Sequence, residues 1–221
     1  MVQITVEAAR ANGRGSERRR EILAAAARVF RRRGLHDSGM REIAAELGMA
    51  VGNLYYYFSD KEELLAFVQE EALAGLLALA ERVRALDLPP AGRLYLLLLG
   101  HVLHLNDPEH GTPGSLAHLE IELLGEARRP PIQARRDRYE RALRRVIEEG
   151  VASGAFRPVD PKLAALALLG AVNSTVRWFR PDGGRTAHEV GRETAELLVR
   201  GLLAAGELTP PPFDLLEQGA G

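Results

Sequence analysis

The stretch Ser38 to Lys61, S-G-M-R-E-I-A-A-E-L-G-M-A-V-G-N-L-Y-Y-Y-F-S-D-K, restricts the fold of this chain more than any other. Ile43, Ala44 and Leu47 have the spacing of one buried helical stripe. Gly48 follows at once, where a helix end favours a residue that tolerates a left-handed backbone. A second short helix starts near Val51, with Leu54 and Phe58 four residues apart on its inner side. Tyr55, Tyr56 and Tyr57 fan around the rest of it. Successive helical side chains point about 100° apart, so the three phenols cannot all be buried. Two short helices joined by a tight, glycine-containing turn make a helix-turn-helix pattern.

In such a pattern the second helix enters the DNA major groove. Three of the chain's five tyrosines stand here, and exposed phenol hydroxyls beside a basic helix suit phosphate oxygens. The charge distribution agrees. Residues 1–61 hold 11 Lys and Arg against 7 Asp and Glu, whereas residues 62–221 hold 18 against 23. A basic head on an acidic body fits a DNA-binding unit carried by a second unit that does not touch DNA.

The segment G-L-H-D-S-G-M-R-E-I-A-A-E-L-G-M-A-V-G-N-L-Y-Y-Y-F-S-D-K-E-E-L-L, within Arg20 to Val68, resembles the TetR (tetracycline repressor) family of bacterial regulators. The resemblance implies a homodimer that places one helix-turn-helix on each half of a palindromic double-stranded operator. By the family's pattern Arg41 and Asn53 read bases, with Val51 and Gly52 close to them. Tyr55, Tyr57 and Lys61 contact phosphate, Tyr56 either, and Ser38 belongs to the same candidate surface. Arg can pair with guanine and Asn with adenine, which gives both a chemical basis for discrimination. Where the family usually has Ser or Thr before each of the two helices, this chain has Gly39 and Ala50. An alternative reading follows: a helical ligand-sensing or partner-binding protein whose head has lost operator-specific DNA binding.

Hydrophobic periodicity predicts an all-α chain in four parts. Residues 1–15 read as a disordered arm. Residues 16–61 form the three-helix head, whose first helix is capped by Ser16 and runs to about Arg33. Residues 62–205 make a larger helical domain for effector binding and dimerisation, and residues 206–221 a flexible tail with a short apolar anchor at Phe213–Leu216. The capping box Ser59-Asp60-Lys61-Glu62 opens a long helix to about Leu86 that ties head to body. Further helices are expected at about Ala91–Leu105, Ser115–Leu124, Pro131–Ser153, Asp160–Phe179 and Thr186–Ala205, the last two forming the dimer interface by the resemblance.

The chain has no cysteine, which excludes disulfides, thiolate metal sites and cysteine nucleophiles. It also lacks a nucleophile–base constellation, a phosphate-cradling glycine loop and an apolar run long enough to span a bilayer. The expectation is therefore a cytoplasmic protein that is not an enzyme, with no cofactor, no metal and no membrane partner. His101, His104, His118, Asn173 and Arg177 are sparse polar groups on apolar helices, the pattern of a mostly apolar pocket with a few orienting groups. Arg138, on an arginine-rich helix, could serve an anionic ligand. The stretch Leu166 to Arg200 contains Asn173, Trp178 and the run W-F-R-P. It is similar to the C-terminal part of TetR-type regulators of fatty-acid, aromatic-acid and steroid degradation, several of which respond to CoA thioesters. That similarity implies an acyl-CoA-like effector that releases the operator, with Trp178 at its site.

Overall fold

The computed structural model describes the backbone of residues 2–34, 37–107 and 121–216, and the side chains of these from Glu17 onward except Arg31. Eight helices run through them: α1 (Val2–Arg33), α2 (Met40–Glu46), α3 (Val51–Tyr57), α4 (Lys61–Ala85), α5 (Pro90–Asn106), α6 (Arg129–Ala152), α7 (Pro161–Trp178) and α8 (Ala187–Arg200). Short 3₁₀ turns stand at Ile121–Leu123 and Phe213–Leu216. No strand occurs among the described residues. The all-α expectation holds.

The head forms as its local chemistry dictates. Gly34, at φ +79°, ends α1, its N–H donating to Phe30 O at 2.8 Å. Gly48, at φ +63°, does the same for α2. There the Gly48 N–H meets Ala45 O at 3.1 Å and the Met49 N–H meets Ala44 O at 3.0 Å. These two bonds satisfy carbonyls that a helix end leaves open and turn the chain sharply into α3. Ile22, Ala26, Phe30, Ile43, Leu54 and Phe58 bury together, joined by Leu64, Leu65 and Val68 from the first half of α4.

The body core is a separate cluster that begins on α4 at Leu76 and centres on α5, packed among α4, α6, α7 and α8. Leu94 through Leu99 are all buried, which is why α5 reads as apolar nearly all round. The head cluster reaches into the body, taking in Ile121, Leu124 and Ile132. Helix α4 thus carries one face of each core, divided between Leu73 and Leu76.

Several boundaries differ from the sequence expectation. α1 begins at Val2, so the segment through Gly15, expected as an arm, has helical backbone. Val2–Ala11 contains no proline and its Ala and Glu residues favour continuation once the downstream turns exist. The cap of α4 is Asp60 rather than Ser59: its carboxylate accepts from the Glu63 N–H at 2.6 Å, and Glu63, not Glu62, accepts from the Ser59 N–H at 2.7 Å. Of the helix expected at Ser115–Leu124, Ile121–Leu123 is a 3₁₀ turn and the part before Ile121 lies outside the described residues. α8 stops at Arg200 because the chain there pairs with the loop after α6, Arg157 N–H donating to Leu202 O at 2.9 Å and Ala204 N–H to Ala155 O at 3.1 Å. The tail past Gly206 lies on the body as far as Leu216, with Leu208 and Leu216 buried.

Candidate nucleic-acid interface and the cavities of the body

Helix α3 sorts its side chains by their angular position. Leu54 and Phe58 are buried, Val51 and Tyr57 half-buried, and Gly52, Asn53, Tyr55 and Tyr56 exposed, Tyr56 at 85%. Tyr56 and Tyr57 meet edge to face, ring centroids 5.2 Å apart. Arg41 is exposed in the first turn of α2. Ser38 differs from the rest of the predicted set: it is buried at 2% and its hydroxyl donates to Gly34 O, so it braces the turn after α1. Lys61 is half-buried in the first turn of α4. Burial pushes its ammonium below the usual lysine range, against the opposing pull of Asp37 and Glu42.

Arginines of α1 fix this surface. Arg28 and Arg32 both bind the Glu46 carboxylate, holding α1 to α2, and these bonds, Arg32's first, keep Glu46 below the usual carboxylate range. Arg19 lies over the Phe58 ring, 5.4 Å from its centroid, and donates to Tyr57 O at 3.5 Å. The arginines of α1 named here brace α2 and the end of α3. Beyond α3, Arg128 reaches Asp60 at 3.2 Å and Glu62 at 3.5 Å, and Glu62 also accepts from the Gly125 N–H at 2.9 Å. The start of α4 is thereby clasped to the start of α6.

The predicted ligand residues that the structure describes divide among four places. His101 and Asn173 come together in a cavity of about 280 Å³ between α4, α5, α6 and α7, with Leu73, Arg136, Asp137, Tyr139, Glu140, Leu166 and Leu169. The Tyr139 hydroxyl lies 3.2 Å from His101 Nδ1, both groups buried, and burial holds the phenol above its ordinary range. A second cavity, about 440 Å³, lies between α4, α5 and α8 under the tail, lined by His104, His188, Arg82, Asp107, Phe213 and Leu216. Arg138 lines a cleft of about 150 Å³ with Arg84, Arg93, Arg141 and Arg145, and pairs with Glu81 at 3.6 Å. Arg177 and Trp178 are exposed at the end of α7. His118 lies outside the described residues.

Tyr139, Arg136 and Glu140 were missed from sequence. A lone tyrosine in the run R-R-D-R-Y-E-R is the signal that could have found them, because an aromatic three places after Arg136 marks the inward stripe of a charged helix. Helices α7 and α8 expose Leu163, Leu166, Trp178 and Leu197, the last at 73%, and Leu166 stands at the rim of the His101–Asn173 cavity. No metal-binding group of side chains occurs among the described residues.

Residues 22–68 match the family described as bacterial regulatory proteins, tetR family, and residues 87–202 match the tetracyclin repressor-like, C-terminal domain. The chain belongs to the TetR family. Among TetR-family relatives, the HTH-type transcriptional repressor KstR2 of Mycobacterium tuberculosis (strain ATCC 25618 / H37Rv) is 28% identical over 198 residues, 89% of this chain and 98% of that protein. The solved structure of PfmR, a TetR family transcriptional regulator from Thermus thermophilus, is 34% identical, covers 81% of this chain and 97% of that one, and superposes with a TM-score of 0.70. AibR in complex with isovaleryl coenzyme A and operator DNA is 28% identical over 86% of this chain and all of that one (100%), with a TM-score of 0.73. The resemblance carried by the Gly34–Leu65 segment therefore extends through the body.

Proposed function

We propose that this TetR-family regulator is a ligand-responsive transcriptional repressor that binds a palindromic operator as a homodimer and leaves it when a small effector occupies the body. The observation that carries this reading is the sorting of α3, whose apolar residues are buried while Gly52, Asn53, Tyr55 and Tyr56 face outward. Arg41 and Asn53 would read base edges, with Val51 and Gly52 approaching them; Tyr55, Tyr56, Tyr57 and Lys61 would hold phosphates. Ser38 would act by bracing the turn before α2.

Dimerisation is assigned to α7 and α8, whose exposed leucines and Trp178 need a cover. The functional division of the chain follows: residues 16–61 read DNA, and residues 62–205 bind effector and partner. This is a cytoplasmic role without catalysis. Among the described residues no helix is long and apolar enough to cross a membrane.

An acyl-CoA is the effector favoured by the likeness to AibR, whose complex with isovaleryl coenzyme A and operator DNA supports that choice. The cavities themselves are more polar than the sequence pattern implied. The effector must bind the DNA-free state more tightly, or it could not shift the equilibrium. A gel-shift on the gene's own upstream region, repeated with a medium-chain or aromatic acyl-CoA and with the matching free acid, tests the reading. The thioester should release the DNA at concentrations where the acid does not. Failure to shift that DNA would favour the alternative of a sensing protein without operator specificity.

A further inference from the structure

The cavity between α6 and α7 carries an unbalanced set of polar groups. Glu140 Oε1 and Asn173 Oδ1 are both buried and have no hydrogen-bond donor. Both residues line the cavity, whose other walls include Leu73, Leu166 and Leu169. Arg144 stands 3.8 Å from Glu140 Oε1, too far for a hydrogen bond. A buried acceptor left without a donor destabilises the fold, so two of them on one cavity wall call for a ligand that supplies donors.

The charges point the same way. Arg136 is the cationic side chain of the lining, and its field is met by Glu122 and Asp137. Asp137 and Glu140 together outnumber it on the wall. A carboxylate entering here would bring two further acceptors and a negative charge against two carboxylates already present. An amide or hydroxyl would bring the donor that Glu140 Oε1 and Asn173 Oδ1 lack.

We propose that this cavity selects a ligand segment with a neutral N–H or O–H donor at the end of a short apolar chain, and rejects the corresponding carboxylate. Asn173 and Glu140 are its specificity-determining residues. At about 280 Å³ the cavity lies just below the ~300–1,000 Å³ of ordinary small-molecule pockets. It therefore suits a segment rather than a whole coenzyme ester. The inference rests on the reading that the body binds an effector. It also supplies a physical reason for a thioester, whose carbonyl is uncharged and whose coenzyme arm carries amide N–H groups, to act where the free acid does not.

The test is isothermal titration of the full-length protein, without DNA, with octanamide, 1-octanol and octanoate at pH 7.5. Octanamide and octanol should bind at least tenfold more tightly than octanoate. Asn173→Ala should weaken octanamide about tenfold, and Glu140→Gln should strengthen octanoate about tenfold, with melting temperatures confirming that both variants fold. Octanoate binding as well as octanamide, no binding by any of the three, or selectivity unchanged in both variants would each overturn the proposal. Because DNA is absent, failure of acyl-CoA to release an operator would count against the effector reading alone and leave this selectivity intact.

Discussion

His104 Nε2 lies 2.8 Å from the main-chain oxygen of Ala72, which fixes α5 to the middle of α4. The approach requires Gly75, because a Cβ there would overlap the imidazole ring. Helix α4 starts at Lys61, just after the turn that closes α3, and runs into the body, so this bond sits on the element that joins the two cores.

His104 should make stability depend on pH. Burial lowers its pKa to about 4 from the ordinary 6.5, outweighing the bond to Ala72 O. The folded state thus binds fewer protons than the unfolded state between these values. The stability it contributes is present above pH 6.5 and is lost as pH falls through about 4. Denaturant unfolding at pH 7 and pH 4.5 should show the wild type losing about 2 kcal/mol more than His104→Gln. Equal losses would mean that the imidazole is not held neutral.

Two glycines of the head should respond oppositely to alanine. Gly48 needs its positive φ, so Gly48→Ala should cost about 1–2 kcal/mol. Gly52 is helical, with nothing within 4 Å of an added Cβ, so Gly52→Ala should stabilise the fold by about 0.5–1 kcal/mol. If Gly52 approaches the bases, the same change should weaken operator binding. Thermal melts beside gel-shifts check both. A stabilised Gly52→Ala protein with full operator affinity would remove Gly52 from the contact surface.

The head was legible because its signals are local. Leu54 and Phe58, Gly48, and the tyrosine run fix two helices and a turn within about twenty residues, and no distant contact competes. The cap of α4 was read one residue early, since Ser59-Glu62 and Asp60-Glu63 offer the same spacing and only the backbone geometry chooses. The cavities were less legible because they depend on tertiary packing. His101 and His104, three apart on α5, face different cavities because that helix is enclosed by four neighbours. Arg138 and Tyr139 are adjacent in sequence, yet one lies on an outer cleft and the other against His101. A charged helix does not announce which of its residues turns inward.

The dimer assignment makes its own demand. Leu166 and Leu197 are exposed at 51% and 73% on α7 and α8. A double change, Leu166→Glu with Leu197→Glu, should leave the folded protomer intact and convert a dimer to a monomer in multi-angle light scattering at micromolar concentration. A wild-type monomer under those conditions, or a dimer undisturbed by two buried carboxylates, would place the interface elsewhere.

Whether α2 and α3 read a specific DNA sequence decides the function assigned to this protein. The most direct measurement is fluorescence anisotropy of a labelled duplex from the gene's own upstream region against a shuffled duplex, at two salt concentrations. The wild type is expected to prefer the native duplex by at least ~10³-fold. Arg41→Ala should lose about 1–3 kcal/mol and narrow that preference, while Lys61→Ala should weaken both duplexes alike and reduce the salt slope by about one. Equal affinity of the wild type for the two duplexes, or a preference altered by Lys61→Ala and untouched by Arg41→Ala, would contradict sequence reading by these helices.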